Sequence, residues 1–111
     1  MVRLRKNTDF QKIYRQGRSK ADQNLALVIL ENGLGESRFG VSVSRKVGNS
    51  VVRHRIKRRL KEIWRLHENE FETGYDIIAA ARRPAADADY PVLERSLLRL
   101  LERSGTVREI P

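Results

Sequence analysis

The segment from Val51 to His67 constrains this chain more than any other. Val52, Ile56, Leu60 and Ile63 recur at helical spacing, with Trp64 and Leu66 at the margins, so one side of a long helix must lie against a core. Gly48, Asn49 and Ser50 supply the turn and N-cap that start it. Most of the remaining circumference carries His54, Arg55, Lys57, Arg58, Lys61 and Arg65, and Glu62 is the lone acid. Arg53 and Arg59 lie near the stripe, where their stems pack while the guanidinium heads reach outward. A helix with so few acids cannot offset its charge through i,i+4 pairs, and a phosphate backbone relieves that repulsion by releasing counterions.

The flanking sequence tells what the helix packs on. Leu25 to Leu30 is a short apolar run of strand length, followed by turn residues Asn32-Gly33-Leu34-Gly35. Arg38 to Ser44 alternates, with Phe39, Val41 and Val43 on one side and the small residues Gly40, Ser42 and Ser44 on the other. Thr73-Gly74 breaks the chain, Tyr75 to Ala81 reads as another strand, and Arg82-Arg83-Pro84 ends it. Asn7 or Thr8 is placed to cap a first helix reaching Gln16, with Gly17 closing it. Asp87 or Asp89 can cap a last helix bearing Leu93, Leu97, Leu100 and Leu101, closed by Ser104-Gly105. This order predicts an α+β domain, one sheet with helices packed on it. With 111 residues, 40% of them apolar, there is material for one core, so residues 1–111 are read as a single domain.

The formal net charge is +9, and it is not spread evenly. Residues 1–20 hold seven basic residues against one acid, and residues 45–65 nine against one; the remainder is mildly acidic. Segregation of this kind points to nucleic acid ahead of a plain solvated surface or an anionic membrane. A DNA-reading helix usually belongs to a helical trio or a zipper, whereas this one sits between two strands of a sheet, which favours RNA and leaves a DNA-binding regulator as the alternative. A ribosome-associated or chaperone-like RNA-binding module is the other alternative. The absence of cysteine excludes a disulfide scaffold, a thiol nucleophile and Cys-ligated metal. No apolar run has the ~18 residues of a membrane helix, and the first ten residues lack a signal peptide's apolar stretch, so a soluble cytoplasmic protein is expected.

Nothing in the chain reads as a catalytic centre. His54 and His67 lie on one helix, roughly 20 Å apart along its axis, too far to grip one phosphate. His67 falls on the apolar stripe and reads as a histidine at the rim of the core. Glu68, Glu70, Glu72 and Asp76 cluster in sequence, but nothing converges on them as metal ligands would, and they read as a solvated helix end and loop. No Gly-Lys-Ser/Thr phosphate loop occurs.

The run from Arg45 and Lys46 through Gly48-Asn49-Ser50 to Arg53-His54-Arg55-Ile56-Lys57-Arg58-Arg59 closely resembles the signature of the bacterial ribonuclease P protein subunit. Asp9-Phe10-Gln11-Lys12-Ile13-Tyr14 with Gly17 resembles that family's first helix, Phe39 to Ser44 its strand before the turn, and Asp76 to Arg82 its last strand. The likeness spans essentially the whole chain. It implies an αβββαβα sandwich with a left-handed crossover around the long helix, a fold shared with a ribosomal protein domain and contrary to the general right-handed rule. It also implies a protein that assembles with a large catalytic RNA, which removes the 5′ leader of precursor tRNA by hydrolysing one phosphodiester bond. The RNA would carry the active site and its Mg²⁺; no motif calls for an obligate protein partner.

Carried onto this chain, the resemblance implies that Arg53, Arg55, Lys57, Arg58 and Lys61 face RNA. Arg45, Lys46, His54, Arg59 and Arg65 complete that expected surface. It assigns Phe10 and Tyr14 to a leader-binding cleft, where aromatic faces stack on unpaired bases. Arg18, Ser42 and Ser44 are expected at the same cleft, and Ile13 in the core. Two positions depart from the family pattern. His54 stands where the signature has Asn, and lacks the amide's paired donor and acceptor. The strand from Leu25 to Leu30 lacks the aromatic often found on the cleft floor, where Val28 or a neighbour is expected instead.

Overall fold

In the computed structural model, which describes residues 1–107, the strands and helices follow in the order β1 (Val2–Arg3), α1 (Asn7–Gln16), β2 (Arg18–Ala21), β3 (Leu25–Glu31), β4 (Arg38–Ser42), α2 (Ser50–His67), β5 (Tyr75–Ala81) and α3 (Tyr90–Arg103). Three strands stand between α1 and α2, as the resemblance implies. The residues themselves signal only two, because all four side chains of β2 are exposed and carry no apolar pattern. The five strands form one sheet in the order β1-β4-β5-β3-β2. β3 is antiparallel to β2 and β5, while β4 is parallel to β1 and β5, so α2 is the crossover between two neighbouring parallel strands.

The two faces of the sheet are covered unequally. On one face, Leu25, Leu27, Ile29, Phe39, Ile77 and Ala79 meet the apolar sides of α2 and α3 in the main core. The Trp64 ring stacks on Phe39 with centroids 5.2 Å apart, and Phe71 follows at 6.1 Å. Each fully buried aliphatic side chain there contributes roughly 1.5–3 kcal/mol of transfer free energy. On the other face only α1 is present. Its Ile13 closes a small cluster with Leu4, Val28 and Ile78, flanked by Phe10 and Leu30.

Local chemistry explains the boundaries. Asn49 Oδ1 accepts from the Val52 N–H (3.0 Å) and caps α2, and Asp89 does the same for α3 through Val92 (3.1 Å). α1 departs from expectation: its N-cap is Lys6 without a side-chain bond, and Asn7 and Thr8 lie inside the helix. Leu4 N–H bonds to Phe39 O (2.9 Å), which pins the chain to the sheet and starts the helix early. A Cβ on Gly17 would come within 2.6 Å of Ile13 O and 2.8 Å of Val28 Cγ1, so glycine ends α1 by allowing close approach.

Asp76 corrects the solvated-loop reading. It is buried on β5, takes a two-pronged bond from Arg38 (Nε to Oδ1 2.8 Å, Nη2 to Oδ2 2.6 Å) and accepts from Asn32 Nδ2 at 2.9 Å. Arg38 also approaches Asp9 of α1 at 3.5 Å. This network ties the start of α1 to the sheet and raises the Arg38 pKa, chiefly through the Asp76 hydrogen bond.

Candidate nucleic-acid interface

The basic residues of α2 fall into three sets once the helix is docked. Arg55 and Arg59 turn toward the 3₁₀ turn Arg83–Asp87 and α3, donating to the carbonyls of Ala86 (3.0 Å) and Ala88 (3.3 Å). They clamp the helix to the loop before α3. His54, Arg58 and Arg65 point outward and are exposed. Arg65 is held by Glu62 (3.0 and 2.6 Å), so the helix's lone acid neutralises part of that row; the bond lowers the Glu62 pKa and raises that of Arg65. Arg53, Lys57 and Lys61 follow each other at four-residue spacing along the remaining flank, all half-buried.

That third flank joins the two basic segments of the sequence. β1 lies on the outer edge of the sheet beside β4, with Arg3 opposite Phe39. Burial lowers the Lys61 pKa most, and the positive charges of Arg3 and Lys57 lower it further, as neighbouring cations do; none of the three is ion-paired among the described residues. The exposed Arg45 and Lys46 in the turn after β4 extend this surface toward the start of α2. The sequence marks Arg3 only as part of a basic segment and does not place it on this surface, because a two-residue strand gives no periodic signal.

The opposite face carries a groove. α1 runs across the strands, from the β4 side, where Asp9 meets Arg38, to the β3 side, where Gly17 abuts Val28 and Ile29. It covers the row Gly40–Ile78–Val28 and leaves uncovered the next row, Ser42–Ala80–Ala26–Ala21, which the register places side by side. All four are small. The Phe10 ring sits over Gly40, so near that a Cβ there would be 2.6 Å from Phe10 Cζ, and Tyr14, one turn later, is 46% exposed. An extended chain has a floor of small side chains and a wall of two aromatics to lie against.

Phe10 lies over Gly40, Ser42 comes next on the same face of β4, Tyr14 follows Phe10 by one turn of α1, and Ser44 is exposed just past the end of β4. The structure separates Arg18 from them: Arg18 pairs with Ile29 and shares that residue's face, on the α3 side. Val28 does not form the groove floor, because Ile13 buries it; its neighbour Ala26 does. Ile13 is in the core as expected. His67 bonds to Glu70 and, through Nε2 at 3.0 Å, to Glu94 of α3, and these carboxylates raise its pKa. Asp76 is occupied by Arg38 and Asn32, Glu70 by His67, and no three His, Asp or Glu among the described residues are grouped to hold an ion. Among the same residues no helix is long and apolar enough to cross a membrane.

The family model described as Ribonuclease P matches residues 1–105 of the chain. The ribonuclease P protein component of Alkaliphilus oremlandii is 46% identical over 105 residues, covering 95% of this chain and 92% of that protein. That of Natranaerobius thermophilus is 43% identical, covering 98% and 95%. Among solved structures, the Staphylococcus aureus RNase P protein superposes with a TM-score of 0.89 at 35% identity, covering 97% of this chain and 99% of the other. The Thermotoga maritima protein gives 0.85 at 31%, covering 93% and 97%.

Proposed function

From the premise that this chain belongs to the ribonuclease P protein family, and so is a subunit of that ribonucleoprotein endoribonuclease, we propose how its two surfaces divide the work. The flank of Arg53, Lys57 and Lys61, joined by Arg3 and by the outward His54 and Arg58, seats the protein on the catalytic RNA. The groove beside Phe10 and Tyr14 holds the single-stranded 5′ leader of precursor tRNA. The Mg²⁺ required for hydrolysis sits at RNA phosphates, and the polypeptide contributes binding and orientation. The complex works in the cytoplasm.

The observation that carries this reading is the uncovered row Ser42–Ala80–Ala26–Ala21 walled by two aromatic rings. Small floor residues admit a sugar–phosphate backbone close to the sheet, and aromatic faces stack on any base, so the groove holds a strand without demanding a sequence. Mature tRNA has no leader to place there. Binding energy from the groove therefore separates substrate from product, and orients the scissile bond in the RNA's active site.

The test uses Phe10→Ala and Tyr14→Ala in the reconstituted complex. Removing each stack should weaken precursor binding by about 1–3 kcal/mol, while affinity for mature tRNA stays the same. Tyr14 is the cleaner probe because it is exposed. Equal losses for both tRNAs would remove the groove from leader binding.

A further inference from the structure

A second cationic surface lies at the opposite edge of the sheet from β1, and the sequence hides it because its parts are split between the basic N-terminal segment and a helix in the mildly acidic remainder of the chain. Arg95, Arg99 and Arg103 follow each other at four-residue spacing on α3, spanning about 12 Å along its axis, and all are exposed. β2 is the other sheet edge, and its Arg18 and Lys20 pair with Ile29 and Leu27, which turns both toward the α3 side. The two elements meet along a seam. Arg95 and Arg99 line a concavity with Asp22, Gln23 and Asn24 of the β2–β3 turn, and Arg103 lines the next with Arg18 and Lys20.

None of these five cations is ion-paired among the described residues. The acid at the centre, Asp22, has its oxygens engaged: Oδ1 accepts from the N–H of Asn24 (2.8 Å) and Leu25 (2.9 Å), and Oδ2 from the Ser96 hydroxyl. Burial pushes the Asp22 carboxyl up, but these bonds and the Arg103 charge outweigh it and hold it below the usual range. Glu31 lines a hollow with Arg18, and Glu102 follows Arg99 on α3, but neither is ion-paired with these cations among the described residues.

We propose that this α3–β2 seam is a second RNA contact that grips the phosphates of a double-helical segment. It rests on the reading that the chain works against RNA, and it adds a surface facing away from both α2's basic flank and the groove. Charge complementarity calls for a polyanion. The choice of a duplex follows from what lines the seam: the arginines and Lys20 stand among small polar, amide and aliphatic side chains, with no aromatic ring. Without rings to stack on, unpaired bases gain nothing there. A duplex, with its bases inside and its phosphates outside, loses nothing.

The chain has no cysteine, so single cysteines can carry an Fe(II)–EDTA probe that cuts RNA riboses nearby. Gln23→Cys reports on the seam, and Val51→Cys, at a position 71% exposed on the outer side of α2, reports on the surface of that helix. In the reconstituted ribonucleoprotein, the probe at position 23 should cut a paired segment that the probe at position 51 does not. Cuts from position 51 alone, or position 23 cuts confined to unpaired RNA, overturn the seam; cuts from position 23 alone overturn the α2 surface instead, and silence at both overturns both. In parallel, the full-length Arg95→Gln/Arg99→Gln/Arg103→Gln variant should bind with a salt-dependence slope lower by about 0.9 for each phosphate it no longer neutralises. An unchanged slope, with unchanged thermal unfolding, also rejects the seam.

Discussion

The two faces of the sheet use the same strands for opposite purposes. On the α2/α3 face Leu25, Leu27 and Ile29 of β3, Phe39 of β4 and Ile77 and Ala79 of β5 are buried in the main core, with Val41 and Ala81 packed against it. On the α1 face a single ten-residue helix covers one row with a cluster of four buried residues, and the adjoining row is kept small and uncovered. The difference shows how a small domain leaves a surface open without losing its fold: one face carries most of the buried core, and the other is only partly covered. The same division recurs on α2, where Arg55 and Arg59 are committed to carbonyls of the neighbouring turn and Arg53, Lys57 and Lys61 are not.

Truncation of each core should sharpen this contrast most. Leu60 and Ile13 are both almost fully buried, one beneath α2 and one beneath α1. Leu60→Ala should fall in the upper half of the ~2–5 kcal/mol range for such cavities, and Ile13→Ala in the lower half, because a short helix on a small cluster settles more readily. Urea unfolding measures both, and an Ile13 effect equal to that of Leu60 would break the comparison.

Filling the open row comes next. Ala26→Leu should change stability by no more than about 0.5 kcal/mol, yet reduce precursor affinity about tenfold or more by raising the groove floor. Binding to mature tRNA serves as the control. A destabilisation as large as a core truncation would show that the row is packed rather than open.

The smallest effect belongs to the joint between α2 and α3. Glu94's carboxylate is the main cause of the raised His67 pKa; burial opposes it and Glu70 adds to it. A raised pKa stabilises the fold in full below the ordinary value of 6.5, and that stabilisation is lost as pH rises through the folded-state value. Stability should therefore decline by about 0.2–1 kcal/mol above that pH. Glu94→Gln should flatten the decline, as followed by thermal unfolding across pH; an identical profile in the variant would separate His67 from this role.

The helices were legible because α2 and α3 combine apolar periodicity with side-chain caps at Asn49 and Asp89. β2 was not, since Arg18–Ala21 belongs to the sheet through backbone pairing alone. Asp76 was misread among its acidic neighbours because its partner Arg38 lies 38 residues away. The groove was half legible. The alternation of Phe39 to Ser44 exposed its β4 side, but Ala26 was concealed inside an unbroken apolar run whose two faces meet different neighbours. A helical wheel gives each α2 residue an angle, and only docking tells which flank meets carbonyls and which meets Arg3.

The order of strands has a consequence in time. β3 and β4 are consecutive in the chain yet never touch in the sheet, because β5 lies between them. No early hairpin can join them, and the centre of the sheet closes only by pairings such as Leu25 with Ala81 and Phe39 with Ile77. Pairings so distant in sequence slow folding, since loop closure must be met before the pairing rewards it. During synthesis the arginine-rich helix emerges before the strand that completes its platform. The rate at which β5 docks therefore sets how long those charges stand unsupported in the presence of any polyanion.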